Sequence, residues 1–321
     1  MFLVFLSGHL RVESGRAWPV LIYFVICFAI GVALYGPNHA VVRAGKLLLF
    51  LGASLLTVKG ATSENRFPAL LALRAFLVLC ACNMAYALAI GETVFRADYL
   101  IEFSIYSGYT IAILVYLARP LLTTVDRIAA YGFLIFCGST MGFLILVLAE
   151  MLGRPLRPRN LIGLATLTPI GAIALHFLME LRGKTMTLEY LAESDRGKLI
   201  STFFDTTLVT FAPLNWAFGL GVGAPLYRFM TPDSSFNGYL IRLGEGSVFS
   251  FCLHNEVLRV FCDFGLVGLA LVIFRLWKVC SLPVIILLAV GMLTNSYLYS
   301  FSGALIASRL FNPPDEQLSP T

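Results

Sequence analysis

Residues 251–274 read FCLHNEVLRVFCDFGLVGLALVIF, and this stretch decides the class of fold. Its second half is apolar enough to lie in hydrocarbon, whereas its first half carries His254, Asn255, Glu256, Arg259 and Asp263. A charged side chain at the centre of a bilayer costs roughly 2.5–3.5 kcal/mol, so such residues indicate a functional segment by default. The stretch therefore predicts a membrane helix that begins with a polar site.

The composition of the whole chain extends this prediction. Of the 321 residues, 59% are hydrophobic and only 13% are charged, and the mean hydropathy is +0.85. A soluble domain carries about 25% charged residues, so we expect an all-α polytopic integral membrane protein. No basic face is clustered in the way that nucleic-acid binding requires. The seven cysteines lie mostly in apolar runs and the histidines are scattered, so we expect no metal and no cofactor.

A membrane helix needs about 20 predominantly apolar residues. Runs of this kind predict about eight transmembrane helices, with a range of about 7 to 10. A shorter apolar piece at 301–311 is either a half-span or the end of the last helix. The predicted spans are 18–36, 41–58, 68–91, 99–118, 128–151, 160–181, 256–276 and 281–300.

The chain divides into four regions on this basis. Residues 1–182 form an N-terminal membrane region with about six helices, and residues 183–254 form one long extracytoplasmic loop. Residues 255–311 form the C-terminal membrane helices, and residues 312–321 are a polar tail. Asp205, Pro213 and three glycines interrupt the apolar middle of the loop, so we expect an interfacial or re-entrant segment there rather than a full crossing.

Lysine and arginine in short loops set the orientation. The link RPLRPRN (154–160) carries three arginines and no acid, and Arg275 and Lys278 follow the seventh predicted span. Both groups are expected in the cytoplasm, which puts the 72-residue loop from Gly183 to His254 outside. With this count of spans, four further cations also fall outside: Lys59, Arg66, Arg119 and Arg127.

The head of the seventh span has two interpretations. Asn255, Arg259 and Cys262 recur at spacings of four and three, so they share a helix face. An asparagine at a helix start is a good N-cap, and a helix N-terminus suits an anion such as a phosphate. Alternatively, this is an ordinary capped helix in which Arg259 pairs with Asp263 or Glu256. The spacing leaves both open.

The order of motifs resembles that of the O-antigen ligase superfamily. His254-Asn255 is followed by nine residues, then Gly265, two residues and Gly268. Upstream lie SDRGKLISTFF (194–204), which contains Arg196, and FGLGVG (218–223). The resemblance covers about residues 190 to 275. Where ligases of this family tend to have leucine four residues after the arginine, this chain has Ile200.

The resemblance implies an inverting, metal-independent glycosyltransferase at the periplasmic face of the bacterial inner membrane. Such enzymes move a glycan from undecaprenyl diphosphate to a glycan or lipid-linked acceptor; a polymerase is slightly preferred over an O-antigen ligase. Membrane lipid and polysaccharide assembly proteins are further expected partners, and nucleic acid is not. The implied roles are catalytic for His254 and Arg196, substrate-binding for Asn255, Arg259, Arg228 and Arg242, and structural for Gly219, Gly221, Gly223, Gly265 and Gly268.

Two alternatives come from other classes of protein. One is a transporter or flippase for lipid-linked sugars, which would show repeated halves with broken helices near the midplane of the bilayer. The other is an inactive subunit of an assembly complex.

Overall fold

The structure is a computed structural model that describes residues 10–12, 18–58, 67–91, 104–137, 140–152, 200–201, 203–204, 208–226, 255–294 and 297–307. These residues are mostly helical, with one pair of short antiparallel strands. The longer elements are β1 (Leu10–Val12), α1 (Trp18–Tyr35), α2 (His39–Ser54), β2 (Leu56–Val58), α3 (Phe67–Ala89), α4 (Ser104–Ala118), α5 (Thr124–Cys137), α6 (Thr140–Leu152), α7 (Pro213–Phe218), α8 (Glu256–Val279), α9 (Leu282–Thr294) and α10 (Phe301–Ile306). Single turns of 3-10 helix cover Arg119–Leu121 and Leu208–Thr210.

Among the described residues, α1, α3 and α8 are long and apolar enough to cross a membrane. Their bounds agree closely with three of the predicted spans, and α9 is a shorter apolar helix. The predicted span 41–58 is too long at its end, because α2 stops at Ser54 and β2 pairs with β1, with Val58 opposite Leu10. The predicted span 160–181 lies outside the described residues. The chain is therefore a mostly helical membrane protein.

The helices α1 and α2 are antiparallel and meet at one end of the molecule. Gly36, with φ of 71°, turns the chain, and Asn38 caps α2 by accepting a hydrogen bond of 2.9 Å from the Val41 N–H. The Asn38 amide also donates to the Gly223 carbonyl at 3.1 Å. The segment that contains Gly223 also contacts the first half of α8, because the Leu220 N–H donates to the Cys262 carbonyl at 2.7 Å. We therefore call this the Asn255 end.

The opposite end is defined by Arg275, late in α8. Its Nε donates to Ser54 Oγ at 2.8 Å, and its guanidinium also contacts the Ser54 carbonyl. The last residues of α2 therefore lie beside the last turns of α8, and the two helices run in the same direction. We call this the Arg275 end.

Two further contacts position α9 and α4. The Asn255 side chain donates to the Leu293 carbonyl at 3.0 Å, so α9 ends where α8 begins. Thr110, near the middle of α4, shares a hydrogen bond of 2.9 Å with Tyr297, which follows α9. The middle of α4 therefore lies beside the turn that follows α9.

A helical hairpin replaces the predicted span 128–151. The Tyr131 hydroxyl donates to Glu150 Oε1 at 2.8 Å, and Arg119 Nη2 lies 3.3 Å from Glu150 Oε2. In one continuous helix Tyr131 and Glu150 would be about 28 Å apart. α5 and α6 are therefore two helices that run in opposite directions, and the prediction of a single span was wrong.

Arg119, directly after α4, and Arg127, in the first turn of α5, belong to the base of this hairpin. The expectation that they lie on the same side as the long loop stays a prediction, because most of that loop lies outside the described residues. An ion pair ties the hairpin to α3: Arg74 Nε and Nη2 donate to the two Asp126 oxygens, each at 2.9 Å. Such bidentate pairs fix the relative orientation of two helices as well as their distance.

Candidate functional site

The structure describes part of the predicted site. The predicted catalytic residues His254 and Arg196 and two predicted substrate-binding residues, Arg228 and Arg242, lie outside the described residues. Asn255, Arg259 and the five motif glycines are described.

Asn255 is the N-cap of α8, as its residue type predicts. Its backbone is extended, with φ of −135° and ψ of 120°, and its side-chain oxygen accepts from the Leu258 N–H at 3.1 Å. This satisfies one of the backbone donors that a helix start leaves unpaired. Because the amide nitrogen of the same side chain donates to Leu293, Asn255 also fastens the head of α8 to the end of α9.

A group of buried polar side chains follows directly. Glu256, Arg259 and Asp263 occur at spacings of three and four on α8, so they share a helix face, and all three are buried together with Tyr299. We call these four residues the α8 polar cluster. Charged side chains are almost never fully buried unless they are paired, so this cluster holds the most unusual electrostatic environment in the described part of the chain.

Arg259 lies at the centre of the α8 polar cluster. Its guanidinium carbon is 3.5 Å from the centroid of the Tyr299 ring, and its Nε is 3.9 Å from Asp263 Oδ2. The Tyr299 hydroxyl is 3.5 Å from the same carboxylate oxygen. A guanidinium over a desolvated aromatic ring is stabilised by about 2 kcal/mol. Of the two interpretations of the α8 head, the pairing of Arg259 with Asp263 is therefore observed. The sequence did not predict the additional contact of Arg259 with the Tyr299 ring.

Glu256 is fully buried, with an exposed fraction of 0%. Its Oε2 accepts from the Leu298 N–H at 2.7 Å, and the backbone amides of Tyr297 and Tyr299 lie near the same carboxylate. Within the described residues, Glu256 Oε1 and Arg259 Nε are buried without a hydrogen bond. The cluster is thus held by charge, ring contact and one short hydrogen bond.

The glycine-rich segment upstream begins with the short helix α7. Pro213 stands at its first position, where its missing N–H costs nothing. Asn215 closes the turn: its backbone carbonyl accepts from the Gly219 N–H at 2.8 Å, and its side chain donates to the Gly219 carbonyl at 3.2 Å. Gly219, Gly221 and Gly223 follow with φ of 79°, 95° and 83°, which only glycine adopts readily.

This glycine-rich segment packs against a break in α8. Gly265 has φ of 66° and ψ of −167°, so the helix is interrupted there. Two of the carbonyls at the break find partners outside the helix. The Leu220 N–H donates to the Cys262 carbonyl at 2.7 Å, and the Tyr23 hydroxyl donates to the Phe264 carbonyl at 3.1 Å. The break is therefore a stabilised feature of the fold.

The glycines at this contact have no room for a side chain. A Cβ on Gly219 would lie 2.6 Å from the Cys262 carbonyl oxygen and from the Phe264 nitrogen, and a Cβ on Gly265 would lie against the Ala217 carbonyl. The element that approaches Gly265 is the end of α7, whereas a Cβ on Gly268 would lie 3.8 Å from the Phe24 ring of the membrane helix α1. The two motifs, FGLGVG and His-Asn-x9-Gly, therefore meet backbone to backbone.

Aromatic rings extend the contact between α7 and α8. The rings of Phe211 and Phe261 are stacked with centroids 5.6 Å apart, and Trp216 meets Phe261 edge to face at 5.5 Å. Leu214 and Phe218, on the same short helix, are exposed. Apolar side chains therefore lie on both the packed and the exposed side of α7. The interfacial or re-entrant segment expected in this region stays a prediction.

The sequence did not single out Tyr299, which follows Asp263 by 36 residues and carries no motif of its own. The described residues contain no group of three or more His, Cys, Asp and Glu side chains that suits a metal ion. Comparisons of the chain with protein-family models, with curated proteins and with solved structures give no match. The likeness to the O-antigen ligase superfamily thus depends on the motifs around residues 190 to 275 alone.

Proposed function

We propose that this protein is a membrane glycosyltransferase that transfers or polymerises glycan repeat units from undecaprenyl diphosphate, with a polymerase slightly preferred over an O-antigen ligase. The observation that carries this proposal is the meeting of the two motif segments at the Gly219–Gly265 contact, beside the capped head of α8. Gly219 and Gly265 are 46 residues apart in the sequence, so their contact brings the two motifs of the resemblance to one place.

The chemistry assigned to each residue follows from the reaction. His254 directly precedes Asn255, whose side chain makes two hydrogen bonds, so it is attached to a well-fixed helix start. A histidine of ordinary pKa suits the removal of a proton from the acceptor hydroxyl near neutral pH. Arg196, Arg228 and Arg242 are proposed to stabilise the charge on the leaving diphosphate, because a guanidinium pairs bidentately with phosphate oxygens.

The resemblance implies that Arg259 binds substrate, but in this proposal Arg259 acts from within the protein, without touching substrate. Its side chain is buried against Tyr299 and Asp263. It contributes positive potential to the head of α8, where the helix dipole has the same sign.

The proposed topology has about eight membrane helices, with a range of about 7 to 10. The described helices fit the lower end of this range, a count of seven in which α1 to α4, the predicted span 160–181, α8 and α9 cross, while the α5–α6 hairpin enters and leaves on one side. Helices of 14 and 13 residues are also short for a crossing, which needs about 20 residues. On this count the Asn255 end and the long loop lie on the periplasmic side of a bacterial inner membrane.

The distribution of cations supports the same orientation. In the proposed topology Arg119, Arg127, Arg275 and Lys278 all fall at the Arg275 end, and the positive-inside rule assigns that end to the cytoplasm. In sequence, Lys59 follows β2 directly, and RPLRPRN begins two residues after α6. The proposed topology puts these cations on the same side.

The test is a comparison of His254→Ala with the wild type, purified and reconstituted with an undecaprenyl diphosphate oligosaccharide. The wild type should lengthen the glycan or transfer it to an acceptor, and His254→Ala should lose at least about 100-fold of that rate, as removal of a general base does. His9→Ala, a histidine outside the motif, is the control and should keep its rate. Equal rates for His254→Ala and the wild type would reject the proposal.

A flippase for lipid-linked sugars is the second candidate. It is favoured by the break in α8 at Gly265 and by the α5–α6 hairpin, because discontinuous helices and re-entrant segments are typical of transporters. Cells that carry His254→Ala distinguish the two. A transferase defect leaves lipid-linked repeat units on the periplasmic side, whereas a flippase defect leaves them on the cytoplasmic side.

A further inference from the structure

The head of α8 is held to the C-terminal helices by two neighbouring side chains. Asn255 donates to the Leu293 carbonyl at the end of α9, and Glu256 accepts from the Leu298 N–H in the turn that precedes α10. The next residue before them is His254, the proposed catalytic base. The two hydrogen bonds therefore hold the two residues that directly follow His254 in the sequence.

Glu256 forms the shorter of these two contacts. Its Oε2 lies 2.7 Å from the Leu298 nitrogen, whereas the Asn255 amide lies 3.0 Å from the Leu293 carbonyl oxygen. The positive charge of Arg259 lies near the same carboxylate, and Arg259 is itself held against Tyr299, next to Leu298 in the chain. The turn and the first two turns of α8 therefore form one connected unit.

Glu256 has no access to substrate of its own. Its side chain is fully buried, and the oxygen that bonds Leu298 is committed to the backbone. A side chain that cannot touch the reacting atoms influences a reaction only through the residues that it holds.

We propose that Glu256 is a positioning residue for the reaction: it fastens the head of α8 to the Tyr297–Ser300 turn and so fixes the place from which His254 acts. This inference rests on the proposed glycosyltransferase function. Misplacement of a reacting group by about 1 Å costs about 100-fold in rate. Loss of this hydrogen bond therefore lowers kcat, whereas binding of the donor, which depends on arginines elsewhere, changes little.

The experiment compares three variants in the reconstituted transfer assay. Glu256→Gln keeps an oxygen that accepts from Leu298, and Glu256→Met has a similar volume with no acceptor. Arg275→Met is the matched control: Arg275 is also a buried charged residue of α8 that bonds another helix, but it lies at the opposite end. All rates are expressed per folded molecule, measured by size-exclusion chromatography and thermal unfolding in detergent.

We expect Glu256→Met to lose about 10- to 100-fold in kcat with the KM for the donor within about 2-fold of wild type, following the cost of misplacement. Glu256→Gln should retain kcat within about 3-fold, because the hydrogen bond remains. Arg275→Met should lose stability without loss of kcat per folded molecule. If Glu256→Met does not fold, Glu256→Asp, in which the carboxylate is drawn back by one methylene, should show the fall in kcat instead.

Two results would overturn the inference while leaving the function intact. One is a wild-type kcat in the folded Glu256→Met or Glu256→Asp variant. The other is an equal loss in Glu256→Gln and Glu256→Met, which would make the charge, not the hydrogen bond, the important property. If the wild type transfers no glycan, or His254→Ala transfers as fast, the proposed function itself fails and this inference fails with it.

Discussion

At the scale of single residues, the contact between Gly219 and Gly265 can be tested with Gly91 as the comparison. Gly219, Gly265 and Gly91 all have φ between 66° and 79°, but a Cβ on Gly91 would meet nothing within 4 Å. Gly91→Ala should therefore cost only its positive-φ backbone, about 1–2 kcal/mol. Gly219→Ala and Gly265→Ala should cost clearly more, because their ψ of −174° and −167° lies in a region nearly confined to glycine and because the two backbones must also move apart.

The measurement is the thermal unfolding of each variant in detergent, together with the rate of glycan transfer. We expect Tm to be highest for the wild type, lower for Gly91→Ala, and lowest for Gly219→Ala and Gly265→Ala. Glycan transfer should be lost in Gly219→Ala and Gly265→Ala only. If all three variants lose the same stability, the close approach of α7 to α8 contributes nothing beyond the glycine conformation.

Tyr299 supports a second prediction at this scale. Tyr299→Phe keeps the ring under the Arg259 guanidinium and loses only a long hydroxyl contact of 3.5 Å. Tyr299→Leu removes the ring, and with it a desolvated cation–π contact of about 2 kcal/mol. Thermal unfolding should find the phenylalanine variant close to wild type and the leucine variant clearly less stable. Equal Tm values for the two would show that the ring does not hold Arg259.

Residue type alone predicted part of this site. Asparagine at the start of an apolar run indicated the N-cap of α8, because the capping bond is local and involves Leu258 only. The glycines indicated close packing, but not the element that approaches, since Gly219 and Gly265 are 46 residues apart in the sequence. Tyr299 gave no signal, because its contact with Arg259 depends on how α9 and its following turn fold back.

At the scale of elements, the α5–α6 hairpin marks the limit of hydropathy as a predictor. Residues 128–151 form one apolar run, and a window of membrane length gives the same mean hydropathy whether the chain runs straight or folds back. The contacts of Glu150 with both Tyr131 and Arg119 show the reversal, and hydropathy carries no information about such contacts. Long helices such as α3 were predicted well, because nothing interrupts their backbone hydrogen bonds.

Cross-linking tests the hairpin. In a cysteine-free background, Tyr131→Cys with Glu150→Cys should react with a bifunctional maleimide that spans about 10 Å, because antiparallel helices bring the two positions together. Leu70→Cys with Ala89→Cys has the same sequence separation within the single helix α3, where the distance is about 28 Å, and should not react. Absence of the cross-link in the first pair, with both thiols labelled by a monofunctional maleimide, would contradict the hairpin.

At the scale of the whole molecule, the hairpin changes how the chain is threaded. The Asn255 end holds the α1–α2 turn, the glycine-rich segment and the start of α8, so an even number of crossings must separate Tyr35 from Glu256. Five predicted spans fall in that interval, which is an odd number. With α5 and α6 counted as a hairpin, four of the predicted spans remain in that interval, and the proposed count becomes even. The same change collects Arg119, Arg127 and Arg275 at one end, as the positive-inside rule favours.

Sidedness labelling tests this threading directly. Single cysteines at Gly36, Leu121 and Asn237 are introduced into the cysteine-free protein and exposed, in intact bacterial cells, to a thiol reagent that does not cross the inner membrane. Gly36→Cys and Asn237→Cys should label from outside, because the α1–α2 turn and the long loop share the Asn255 end. Leu121→Cys, at the base of the hairpin and exposed, should label only after the cells are permeabilised. A single span at 128–151 would instead leave Gly36 and Asn237 on opposite sides of the membrane. Labelling of Asn237 from the cytoplasm would remove the long loop, and with it His254, from the face where lipid-linked glycans are proposed to be joined.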